Sequence, residues 1–237
     1  MNALFKKGVL VAALAMTASS VMAADSIDLK VTGKIIPPAC TPAFGSGGGT
    51  VDFGNIPISM LKATKDAALQ DIKKVPVTIT CEVETRFGVT FNDQRADSRS
   101  TTKMDVSFVS IDFANLPDYY FGLGATSEQK PIGVYGLGIE ESATKNAAGE
   151  SRYTMLSGDG GATWTTANGE SSSMYQAVVN SPATIYGFGK AGETDISPET
   201  LITFNVGVAA IIQDMNTLHI TDEITLDGLA SINLVYL

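Results

Sequence analysis

The chain has 237 residues, 44% of them hydrophobic, with 16 basic and 25 acidic groups, two cysteines and one histidine. A net charge of −9 without a Lys/Arg run argues against nucleic-acid binding, which needs a basic surface for the phosphate backbone. Four arginines and a single histidine leave few groups for phosphate chemistry or for a metal centre.

The chain opens as a secretory signal does. Lys6 and Lys7 precede an apolar run from Gly8 to Met16, and a small, polar stretch closes on Val21-Met22-Ala23. Residues 1–23 are therefore expected to be a signal peptide cleaved after Ala23. The apolar run is shorter than the roughly 20 residues of a spanning helix. Cleavage would leave 14 basic and 25 acidic groups, a net −11 that favours solubility.

Next comes an amphipathic strand. Ile27, Leu29, Val31, Gly33 and Ile35 alternate with Asp28, Lys30, Thr32 and Lys34, and Pro37-Pro38 ends the run because proline has no amide proton for a ladder. Cys40 follows, and the glycine-rich stretch 45–49 reads as a turn. Residues 60–74, with Leu61, Ala68, Leu69 and Ile72 at rough helical spacing and Ser59 as a cap, are expected to form a helix.

Strand patterns dominate the remainder. Val75, Val77, Ile79, Cys81 and Val83 alternate, and Cys40 and Cys81 form an even pair that exported proteins oxidise to a disulfide. Turn-rich stretches follow at 92–102, 142–151, 168–173 and 190–194. Between them, Pro131–Gly138 reads as a glycine-bearing strand, since no helix follows its glycines as a dinucleotide fingerprint requires. Ser157–Trp164 matches the S-x-D-x-G-x-T-W pattern of the Asp box, a turn in which the aspartate ties its own loop. A sialidase would repeat the box and gather arginines around it, so catalysis is not expected there. Residues 202–212 alternate again. His219, between Leu218 and Ile220, has neither a second histidine nor a CxxC to suggest a metal site or triad. The alternation resumes in Ala230, Ile232, Leu234 and Tyr236. Recurrent period-2 runs separated by turns predict an all-β sandwich with long decorated loops, and 141–174 is the best candidate for an insertion or second lobe.

Gly33-Lys34-Ile35-Ile36-Pro37-Pro38-Ala39-Cys40, Cys81 at the end of an alternating run, and Gly228–Leu237 with its penultimate tyrosine appear in that order behind a signal. Together they resemble the pilin subunits of chaperone–usher pili, and the chain length is similar to the larger pilin-like proteins of that superfamily. The resemblance implies an immunoglobulin-like sandwich over residues 37–237 that lacks its last strand, and a donor-strand extension over 24–36. A periplasmic chaperone would fill the resulting groove first, contacting the strand of Ala230, Ile232, Leu234 and Tyr236. The leading segment of a neighbouring subunit would then replace it, the strand addition described for chaperone–pilin pairs. Ile27, Leu29, Val31 and Ile35 would contribute on the order of 6–12 kcal/mol of apolar burial before entropy costs, and Gly33 would fit a shallow part of the groove.

These features imply a fimbrial subunit exported through the periplasm to the cell surface. Its expected partners are the chaperone, an outer-membrane usher and neighbouring subunits. No enzymatic activity, cofactor or metal is expected. The alternatives are a carbohydrate- or surface-binding adhesin module whose further partner is a host or surface glycan, and an ordinary first strand over 26–36 paired within its own domain.

Overall fold

The computed structural model describes residues 28–35, 39–69, 71–102, 117–166 and 174–237. The expected signal peptide, Ile27, the Ile36-Pro37-Pro38 break and the 168–173 turn lie outside them. Tertiary contacts divide the chain into two units, Met1–Ile36 and Pro37–Leu237.

The second unit is all-β. In chain order its strands are β1 (Cys40–Phe44), β2 (Ala67–Ala68), β3 (Lys73–Thr85), β4 (Phe87–Asp93), β5 (Phe121–Gly122), β6 (Gly133–Glu140) and β7 (Lys145–Asn146). There follow β8 (Tyr153–Ser157), β9 (Thr165–Thr166), β10 (Tyr175–Ala177), β11 (Ser181–Gly189), β12 (Glu199–Ile212) and β13 (Ala230–Tyr236). They build two antiparallel sheets. One runs β1-β3-β12-β6-β10, with β2 and β7 also on β12 and β5 on β6; the other runs β13-β4-β11-β8-β9.

Alternation explains how the sheets meet. Val77, Ile79 and Cys81 of β3 and Ile202, Phe204, Val206 and Val208 of β12 share a buried cluster with Phe87, Val89 and Phe91 of β4 and Tyr186 and Phe188 of β11. Each such side chain contributes about 1.5–3 kcal/mol on leaving water. The outer faces are covered in part as well. Tyr120 packs with Val134 and Ile211 on the first sheet, and Trp164 with Met155 and Ile185 on the second.

The glycine-bearing strand is confirmed as β6, buried along its whole length. A Cβ on Gly133 would overlap the Ile211 carbonyl, so only glycine permits this approach to β12. The described part of the 141–174 stretch is not a separate lobe, because β7 joins the first sheet and β8 and β9 the second.

The expected helix over 60–74 does not form. Ile58–Met60 makes a single 3-10 turn, Ala67–Ala68 is strand β2, and Lys73 already begins β3. Tertiary partners outweighed local spacing. Leu61 and Leu69 reach the core, Leu69 N–H donates to the Ala210 carbonyl at 2.9 Å, and the Lys62 carbonyl accepts from Met215 N–H at 2.9 Å. A helix would withdraw those backbone groups from the sheet edge.

The Asp box folds as expected. Asp159 accepts from the backbone N–H of Thr163 at 2.9 Å and of Ala162 at 3.1 Å, and from the Thr163 hydroxyl at 2.6 Å. The Thr163 hydroxyl and these amides hold its carboxyl well below the usual range.

Candidate functional site

Beside β13 the sandwich has an apolar cleft of about 970 Å³. Leu137, Val206 and Val208 belong both to the core cluster and to its lining, so the cleft reaches the interior of the sandwich. One wall is the stretch after β1, where Val51, Phe53 and Ile56 pack half-buried against the core. Lys73 Nζ lies 5.9 Å from the Phe53 ring centre, a cation–π contact that steadies this wall. The stretch leading into β13 lines it as well, with Ile224 and Leu226, and then Ala230 and Ile232 of the strand itself. Tyr135 lines it too, and burial, reinforced by Asp93, pushes its phenol far up and keeps it neutral.

Backbone pairing is incomplete on both sides. β13 pairs with β4 from Ala230↔Asp93 to Tyr236↔Phe87, and on its other side it pairs with no strand among the described residues. Among the described residues, Val51–Ile56 joins no ladder; it holds a local turn in which Gly54, at φ 67°, donates its N–H to Asp52 Oδ1 at 2.6 Å. An unpaired strand edge beside an apolar trough can accept a further strand. Half-buried Ile232 and Leu234 face the core, while exposed Phe44, Ile58 and Leu229 line the cleft. Exposed apolar groups of this kind mark interaction surfaces.

Cys40 and Cys81 form the expected disulfide, at directly opposed positions of β1 and β3. Of the proposed chaperone-facing residues, Ala230, Ile232 and Leu234 pack against the core, whereas Tyr236 is exposed and reaches Cys40 through its hydroxyl. In the first unit, residues 28–35 carry no assigned strand or helix, and Leu29, Val31 and Ile35 stand exposed. Gly33 has open space where a side chain would be.

The cleft walls at 51–56 and 220–229 were not anticipated. Val51-x-Phe53 and Ile224-x-Leu226 show the same alternation as the strands, but each run is short and set among polar residues. His219 has a left-handed backbone at the end of the single-turn helix Met215–Leu218, and its Nδ1 lies 2.6 Å from Lys130 Nζ. No group of three or more His, Cys, Asp or Glu that could hold a metal exists among the described residues. Among those residues no helix is long and apolar enough to cross a membrane.

Over 96% of this chain and 98% of its own length, the uncharacterized protein YhcF of Escherichia coli (strain K12) is 32% identical. This chain belongs to the same family. Protein GltF of the same organism is 30% identical over 95% of each chain. A family model described as a protein of unknown function (DUF1120) matches residues 29–136, a span from Leu29 to the middle of β6. Both full-length similarities run past that span and take in β12.

Proposed function

We propose that this chain is a structural subunit of a chaperone–usher pilus, polymerising by donor-strand exchange and supporting cell adhesion. The edge of β13 that pairs with no described strand, beside a cleft that opens the core, carries this reading. In an immunoglobulin-like sandwich of the pilin type, the strand beyond β13 is supplied from outside. A periplasmic chaperone fills the cleft first, and the usher then guides its replacement by a neighbouring subunit at the cell surface.

The leading segment has the form such a donor needs. Ile27–Ile35 spans about 30 Å at roughly 3.3 Å per residue, longer than the seven residues of β13. Its apolar face carries Leu29, Val31 and Ile35, which have no burial of their own in this chain. Pairing with the outer edge of β13 would satisfy backbone groups that otherwise rely on water.

Expression of the exported protein in a periplasm with and without candidate pilus chaperones tests the proposal. A one-to-one chaperone complex and polymers that survive mild detergent are expected. A stable monomer that accumulates without a chaperone and never polymerises would overturn it.

A further inference from the structure

Among the described residues the cleft lining includes Asp52, Asp222, Glu223 and Asp227 and no lysine or arginine, with Lys73 the cation that stands over the Phe53 ring of one wall. Asp227 is matched by Arg95 at 2.9 Å, whereas Asp52, Asp222 and Glu223 make no ion pair among the described residues. The body around them, residues 37–237, carries 12 basic and 23 acidic groups. A predominantly negative rim beside an apolar, low-dielectric trough is felt strongly by whatever enters it.

The leading segment of this chain answers that field. Strand alternation sets Asp28, Lys30, Thr32 and Lys34 on one face, a net positive face, and the apolar residues on the other. Granting the donor strand proposed above, we infer that its Lys30 and Lys34 lie against this acidic rim and thereby select residues 27–35 of a second copy of this chain over other strands of the same alternation, with Ile27, Leu29, Val31 and Ile35 inward. This rests on the strand-acceptor reading above and names the partner within it.

The two sets of contacts have different tasks. Apolar burial supplies affinity for any strand with the same alternation. The lysines select among such strands and fix the register, because complementary charge contributes more to specificity than to affinity. A slip of one residue would turn Lys30 and Lys34 into the apolar trough, and a slip of two would move them about 7 Å along the rim.

Fluorescent peptides of residues 24–36, added to the full-length exported protein and followed by anisotropy, test the inference. The wild-type peptide is expected to bind. A K30E/K34E peptide should bind about tenfold more weakly at low salt, with the gap narrowing at high salt. Protein carrying Asp222→Lys and Glu223→Lys should reverse that preference. A K30E/K34E peptide that binds as well as wild type overturns the charge-matched second copy and leaves the strand-acceptor reading standing. A Val31→Asp peptide that binds as well as wild type, or no binding by any peptide, overturns both.

Discussion

The phenol of Tyr236 ties the edge of one sheet to the edge of the other: its oxygen accepts from Cys40 N–H at 2.8 Å and donates to the Cys40 carbonyl at 3.4 Å. The two residues are 196 positions apart, one on β13 and one on β1. Cys40 is itself fixed to Cys81, so β13 is anchored through a single side chain to the disulfide-bonded corner. Tyr236→Phe should lower the unfolding free energy by about 1 kcal/mol, the usual net value of such hydrogen bonds. Urea unfolding measures it, and an unchanged midpoint would show the tie to be dispensable.

Removing the disulfide should have a larger effect. Cys40 and Cys81 are separated by 41 residues, and closing a loop of that length stabilises by about 4 kcal/mol in the chain-entropy model. The double Cys→Ser variant, or the wild type unfolded in a thiol reductant, should show a lower melting temperature by calorimetry. Equal melting with and without reductant would contradict this.

Leu29→Asp and Val31→Asp separate assembly from folding. Both side chains are exposed within the chain, so the substitutions should leave the melting temperature within about 0.5 kcal/mol equivalent of wild type. Detergent-resistant polymers should be lost, because each variant places a charge in the apolar trough of the next subunit. Polymers of normal abundance, scored on gels without boiling, would argue against a role for this segment in assembly.

Glu140 of β6 is buried, and burial pushes its carboxyl up. The ammonium of Lys74 at 2.7 Å and the amide of Asn205 at 2.8 Å outweigh that and hold it below its ordinary value of 4.5. A depressed carboxyl contributes stability that is complete above the unfolded value and is lost as pH falls through the lower folded one. Lys74→Met should therefore unfold more easily than wild type at pH 7. The difference should shrink steadily as pH drops below about 4.5. Thermal melts across that range would expose a pH-independent difference, which would rule this pairing out as the cause.

Gly161 in the Asp box has φ +92°, and a Cβ there would overlap the Leu237 side chain. Gly161→Ala should cost about 1–2 kcal/mol from the left-handed backbone alone, before any displacement of Leu237. Because Leu237 follows directly on β13, the hydrogen exchange of that strand should quicken as well. Exchange unchanged along 230–236 would confine the effect to the turn.

The sequence by itself determined the strands whose alternation is continuous. Val75 to Cys81 within β3, Ile202 to Ile212 within β12 and Ala230 to Tyr236 as β13 all appear at their expected positions. It also determined the Cys40–Cys81 bond and the Asp box turn. In each case the signal is local, a period of two, an even cysteine pair or an aspartate bonding its own loop. Only the tertiary structure decided the path of 60–74, where Leu61 and Leu69 fit a helix as well as an extended edge. The carbonyl of Ala210 and the amide of Met215, some 140–150 positions away, settled it. The cleft was hidden for the same reason. Val51 and Phe53 line the same cleft as Ile224 and Leu226, and the joining of segments about 170 residues apart leaves no periodicity in the chain that makes it.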